Sequence, residues 1–300
     1  MKKIIAILLI LIISLPAISH AQRWKKSRGE YVFGLGATNF FGDLGGADRP
    51  GTNGMRDMDF GATKPLLSVG YAYRYFQWLV VQSDLALGYL SGNDEFTNYG
   101  PRNNRGLHFR SSIVELSLKA QVGYTHERQG RRYVLRGARG MKNMSIGGYG
   151  FLGIGLFHFN PKAKDQTGRW VALQPLGTEG QGLYPTREKY KRLQVCIPVG
   201  LGARFMLTKE FTLGIEYGFR VTFTDYIDDV SMTYPNIDLL EKEKGPVAAY
   251  FSDPTGKKQK SGHYNSIRGN PSNDDSYLFA VVSLRYNIPY SHRFMGRAKF

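Results

Sequence analysis

The residues best suited to chemistry lie in a short acidic run, Thr224-Asp225-Tyr226-Ile227-Asp228-Asp229. Three carboxylates so close together could ligate a hard cation such as Ca²⁺. Their spacing matches no EF-hand loop, so further ligands would have to come from elsewhere in the chain. The same side chains also accept backbone N–H groups well, and ordering a loop is the plainer use for them. Other chemistries have less to build on. His108, His126, His158, His263 and His292 are scattered, with no pair at ligand spacing. The sequence contains no Gly-x-Ser-x-Gly nucleophile elbow. Cys196 is the one cysteine, so it has no internal disulfide partner and reads as inert packing. These features point away from an enzyme, and no cofactor or metal is expected.

Two further charge groups have a pattern. Between Thr125 and Ser145 the chain carries Arg128, Arg131, Arg132, Arg136, Arg139 and Lys142 against Glu127 alone. Such a run is either a flexible solvated loop or a docking element for an acidic partner. The second group is spread along the chain: Glu115, Lys119, Arg204, Glu216 and Arg220 each sit between apolar neighbours, and Asp84 precedes the apolar Leu85.

That interleaving identifies the elements that must position them. From Leu193 to Phe205 every second residue is apolar, and the same holds from Phe211 to Val221 after Thr208-Lys209-Glu210. A period of two puts one face of a strand in an apolar medium and the other in a polar one. Soluble strands keep this up for ~5–6 residues; a bilayer crossing needs ~9–11. We therefore expect an all-β fold, an eight-stranded antiparallel transmembrane β-barrel with lipid outside and long extracellular loops. The strands are expected at Gly29–Phe41, 66–75, 78–90, 111–124, 147–159, the hairpin just described, and 277–288. In the fifth the two faces cannot be told apart. One helix is expected over 236–244, with Asn236 as N-cap and Gly245 past its end. Pro198 sits awkwardly inside a strand and implies a bulge or a shifted register.

Lys2-Lys3, the apolar run Ile4–Leu15, Pro16 and Ser19-His20-Ala21 have the order of a secretory signal peptide. Residues 1–21 are read as that peptide and 22–300 as the barrel, its termini in the periplasm. The address is then a bacterial outer membrane; a secreted β-sandwich is the alternative. The formal charge of +16 becomes +14 when Lys2 and Lys3 leave, and export removes nucleic acid as a partner. Outer-membrane lipid or an acidic protein remains. With periplasmic termini, connections one, three, five and seven face outward and are long, whereas two and six are tight; the basic fourth is the exception. Eight strands leave room only for their own side chains, so the six spread charges should form a mixed-sign network that plugs the lumen.

Several segments carry a resemblance: Gly34-Leu35-Gly36-Ala37-Thr38-Asn39-Phe40-Phe41-Gly42-Asp43-Leu44, Leu176-Gly177-Thr178-Glu179-Gly180-Gln181-Gly182, Thr224-Asp225-Tyr226-Ile227-Asp228-Asp229-Val230-Ser231, and Arg268-Gly269-Asn270 before Asp274-Asp275-Ser276-Tyr277. Together and in this order they resemble the PorG-like outer-membrane barrels of Bacteroidota. The resemblance implies a non-enzymatic component of the type IX protein secretion machinery. In some species that machinery serves gliding motility. It further implies docking to periplasmic ring proteins of the PorK/PorN type. An adhesin or envelope-stability barrel acting through its outer loops is the other reading.

Overall fold

The computed structural model describes residues 28–44, 61–94, 105–125, 146–208, 210–256 and 266–288. The strands are β1 (Gly29–Phe41), β2 (Lys64–Arg74), β3 (Leu79–Asn93), β4 (His108–Thr125), β5 (Ile146–Lys164), β6 (Trp170–Ala172), β7 (Leu193–Met206), β8 (Phe211–Thr222) and β9 (Ser276–Asn287). Two helices follow one another, α1 (Ile237–Lys244) and α2 (Pro246–Ser252). Pairing runs β4-β3-β2-β1-β9-β8-β7-β5, and β4 also pairs with β5, so the ring closes with every neighbour antiparallel. The protein is an eight-stranded β-barrel. The short β6 stands outside the ring, hydrogen-bonded to the end of β5.

Alternation sorts the side chains as its period requires. On β4, Val114, Leu116, Leu118 and Val122 are exposed, whereas Glu115, Ser117, Lys119 and Gln121 are buried. On β8, Ile215, Tyr217 and Val221 look out while Glu216, Arg220 and Thr222 are buried. Apolar residues on the outside of a closed barrel form the lipid-facing band of a transmembrane barrel. Near the short turns the band ends in Tyr71, Tyr75, Phe76 and Trp78, all exposed. Phe76 stacks on Trp78 at 5.6 Å, an aromatic group of the kind that sits at a membrane interface.

β5 has two distinct faces after all. Its interior face is aromatic, with Tyr149, Phe151, Phe157 and Phe159 buried, and Leu152, Ile154 and Leu156 face out. Sequence does not separate them because both faces are apolar or glycine. Pro198 makes no bulge. The β7–β8 register is continuous through Pro198↔Arg220, and the β5–β7 register is the same on both sides of it. Only the pairs between Leu152↔Val199 and Gly155↔Cys196 are missing, as expected where a residue lacks an N–H. The helix forms as its caps dictate: the Asn236 side chain accepts from Leu239 N, and the N–H of Gly245 returns to Glu241 O. β6 and α2 are additions that the sequence pattern does not reveal, being three and seven residues long. Residues 1–27, 126–145 and 289–300 lie outside the described residues, and with them the expected signal peptide and all six basic residues of the fourth connection.

Candidate functional site: a charged interior under a locked outer cap

Strand parity brings the six spread charges into the barrel, where all are buried. Lys119 lies 2.8 Å from Asp84 and 3.0 Å from Glu216. Arg220 meets Glu115 at 3.2 Å, and Tyr277 donates its hydroxyl to the same carboxylate at 2.9 Å. Arg204 donates to Gln121, whose amide donates to Gln82 at 2.9 Å and to Glu216 at 3.1 Å. Glu30 and Arg285 extend the network toward the short-turn end. Arg285 lies 2.9 Å from Glu30, which also holds Arg74 at 3.2 Å. Sequence reasoning passed over these two, although Arg285 keeps the parity of the polar face of β9. Ionic side chains leave water at least cost when matched, and here Lys119, Arg220 and Arg285 each meet a carboxylate, whereas Arg204 is held by the Gln121 amide. The aromatic face of β5 and β9 supplies the rest: Lys119 sits 4.9 Å over Phe151, Arg204 4.7 Å over Tyr149, and Arg220 4.0 Å over Phe279. Glycine makes room at two contacts. A Cβ at Gly70 would clash with Asp84 Oδ1, and one at Gly218 would fall 2.7 Å from Arg220 Nη1.

Above the charges the interior turns apolar. Phe40, Phe109, Ile113, Phe157 and Phe159 pack into one cluster with Ile227, Val230 and Tyr190 from the outer connections. Tyr190 stacks between Phe159 at 6.0 Å and Tyr226 at 4.7 Å.

The motif residues assemble on this floor. Glu179 accepts from Ser231 N at 3.0 Å and Met232 N at 3.1 Å, and pairs with Arg268 at 3.0 Å. Asp229 accepts from Thr178 Oγ1 at 2.5 Å and Tyr190 OH at 2.6 Å, and its own backbone is left-handed at φ 68°. Gln181 Oε1 accepts from Glu179 N at 3.0 Å, closing the turn in which Gly180 has φ +80°. Asp228 accepts from Leu44 N at 3.0 Å, tying in the first outer connection. Arg105 bridges the third: it pairs with Asp94 at 2.8 Å and donates to the carbonyls of Asp43 and Arg268 at 2.7 and 2.5 Å. All four outer connections are thereby locked together. Sequence reasoning missed Arg105 and Tyr190, and it quoted Arg268 without a role; their partners are too far away in sequence for spacing to show.

The carboxylates here serve mainly as acceptors. Among the described residues no group of three His, Cys, Asp or Glu is arranged to hold a metal ion. Burial, then repulsion from Asp228 and Asp43, pushes Asp225 up to about 10. Burial also raises Asp228 and Asp275 well above the ordinary carboxylate range, with repulsion from Asp43 adding at Asp228 and from Asp228 and Asp225 at Asp275. Asp229 is pushed only to about 6, because Arg268, Thr178 and Tyr190 offset its burial. The cavity lined by Leu44, Leu107, Asp228, Val230 and Arg268 holds about 20 Å³, room for roughly one water.

No family model matches this chain, and no curated protein matches it. Solved structures do. Ail, the attachment invasion locus protein of Yersinia pestis, is 10% identical with a TM-score of 0.36, covering 87% of this chain and 99% of its own. Neisserial surface protein A is 7% identical, TM-score 0.34, covering 87% and 96%. The N-terminal β-barrel domain of Pseudomonas aeruginosa OprF is 10% identical, TM-score 0.31, covering 87% and 98%.

Proposed function

We propose that this protein is a bacterial outer-membrane barrel that serves, without catalysis, in the type IX protein secretion machinery. It would dock to a periplasmic ring of the PorK/PorN type. The observation that carries the reading is the convergence of the resembling segments. Thr178, Glu179, Asp228, Asp229, Arg268 and the Asp43 backbone, drawn from four separate stretches, meet in one interlocked cap. These segments, which carry the likeness to one family, are joined by hydrogen bonds and an ion pair into a single structural unit. The docking side would be the opposite end. β4 and β5 run to their connection at the end that carries the tight turns Tyr75–Trp78 and Leu207–Glu210. The connection that carries Arg128, Arg131, Arg132, Arg136, Arg139 and Lys142 in the sequence leaves β4 and returns to β5 at that end.

Deleting the gene should abolish export of cargo bearing the C-terminal signal. A tagged copy extracted in mild detergent should bring the ring proteins with it, and neutralising Arg131, Arg132 and Arg136 together should weaken that capture. Normal export after deletion would reject the role. A second reading, adhesin or envelope-stability factor, is favoured by the bulk of ordered chain at the outer end, where α1 and α2 stand. On that reading deleting residues 253–273 removes surface binding and leaves secretion intact.

A further inference from the structure

We propose that the outer rim of β3, β4 and β5 is a binding site for the phosphate group of a membrane lipid, with Arg110, Lys162 and Lys164 as its ligands. The inference rests on the membrane address proposed above. The outward faces of these strands change character over a short climb. Val114, Leu116 and Leu156 are exposed and apolar. His158 is already level with Val114; one step up stand Ser112 and Asn160, paired with each other, and above these Arg110, in register with Lys162 on the neighbouring strand. Four residues separate Val114 from Arg110, about 13 Å along a strand and roughly 9 Å of height at a ~45° tilt. That is where lipid head groups stand when the apolar band lies in hydrocarbon.

Two of the cations there are held by aromatic rings. The Arg110 guanidinium is clamped between two rings, 4.5 Å from the centroid of Tyr89 and 4.8 Å from that of Trp170. Lys164 Nζ lies 5.4 Å from the same Trp170 ring. Trp170 is delivered by β6, and its position is fixed by the β5–β6 pairing Lys164↔Trp170. Among the described residues no carboxylate forms an ion pair with Arg110, Lys162 or Lys164. In the interior, by contrast, Lys119, Arg220 and Arg285 each have a carboxylate at 2.8–3.2 Å, and Arg204 has the Gln121 amide. Aromatic faces fix a guanidinium while leaving its N–H edge free, and a planar fork of donors suits phosphate oxygens. An acyl chain would then run down over Val114, Leu116 and Leu156. This also gives β6 a purpose: it places Trp170 so that Arg110 is fixed before lipid arrives.

The test uses the full-length protein in nanodiscs of a phosphate-free host lipid, digalactosyldiacylglycerol, doped with a bisphosphorylated lipid A or its enzymatically dephosphorylated form. The lipid retained by the purified protein is then quantified by mass spectrometry. The phosphorylated form should be retained at least tenfold better. Arg110→Gln/Lys162→Gln/Lys164→Gln should erase the difference, and Lys242→Gln on α1 should keep it. Excess inorganic phosphate should compete only weakly, because it lacks the acyl contacts. Equal retention of the two lipids by the wild-type protein overturns the proposal without needing any variant. Equal retention by wild type and triple variant, with the barrel still heat-modifiable on a gel, overturns the residue assignment. Failure to enter the bilayer at all sinks the membrane address itself.

Discussion

Arg268 and Glu179 meet 3.0 Å apart, both fully buried, although 89 residues of chain separate them. The pair is more than a charge contact. Glu179 also receives two backbone N–H groups, and Arg268 donates to Asp229 O at 2.7 Å. Breaking one partner strands the other. Arg268→Ala should therefore cost about 3–5 kcal/mol of cap stability. Glu179→Gln should cost less, because an amide oxygen still accepts from Ser231 and Met232. Protease added to intact cells should clip the outer connections of Arg268→Ala rapidly, while the strand region keeps its heat-modifiable migration. Equal clipping of wild type and variant would mean that the pair does not hold the cap.

The interior answers to the same logic with different partners. Lys119 is shared by Asp84 and Glu216, so Lys119→Met leaves two carboxylates facing each other inside a barrel. Unfolding in urea from lipid vesicles should show a loss of several kcal/mol. Adding Glu216→Gln to that variant should return part of it, a coupling that a double-mutant cycle measures directly. Strict additivity would show that the two side chains act independently.

pH should act on the cap in one direction. Asp225 is raised to about 10 and Asp229 to about 6, against ~3.9 in an unfolded chain. A carboxyl whose folded value is raised binds more protons folded than unfolded between the two values. Stability is therefore full below ~4 and falls as pH rises through that window. For Asp229 the window closes near 6, and for Asp225 it runs on to about 10. Acidifying from pH 8 to pH 5 should slow proteolysis of the cap. Asp225→Asn, which carries no charge at either pH, should be the more resistant protein at pH 8 and should flatten the response. A cap that loosens on acidification would contradict this assignment.

How much of this could be read without coordinates depended on the range of the interaction. Alternation is local, so the Leu193–Thr222 hairpin and the inward direction of Glu115 and Lys119 follow from neighbours two residues away. Faces were hidden only where glycine and aromatics fill both sides, as in β5. Glu30 was legible in principle, being the one acid beside the exposed Tyr31–Leu35 alternation, but a lone charge at a strand end looks like solvent-facing ornament. The cap was opaque for a different reason. Its bonds join Leu44 to Asp228 and Arg105 to the Arg268 carbonyl, across 184 and 163 residues, and no periodicity encodes such pairings. Pro198 misled because a proline defect need not shift a register: two missing pairs on one side leave the pairing with β8 intact.

The period of two also makes its own test at adjacent positions. Glu115 is buried and Leu116, next to it, is 55% exposed on the outer wall. If that wall is lipid-facing, a cation placed there must enter hydrocarbon. Leu116→Arg should lower the folding free energy in vesicles by about 2–4 kcal/mol, while the same change at the exposed Tyr75, at the interfacial end of the band, costs ~0–1. In water the outcome reverses: an exposed leucine exchanged for arginine on a soluble barrel costs almost nothing, and solubility improves. Folding of Leu116→Arg that equals wild type in both detergent and vesicles would therefore remove the bilayer from the outside of this barrel, whatever its interior looks like.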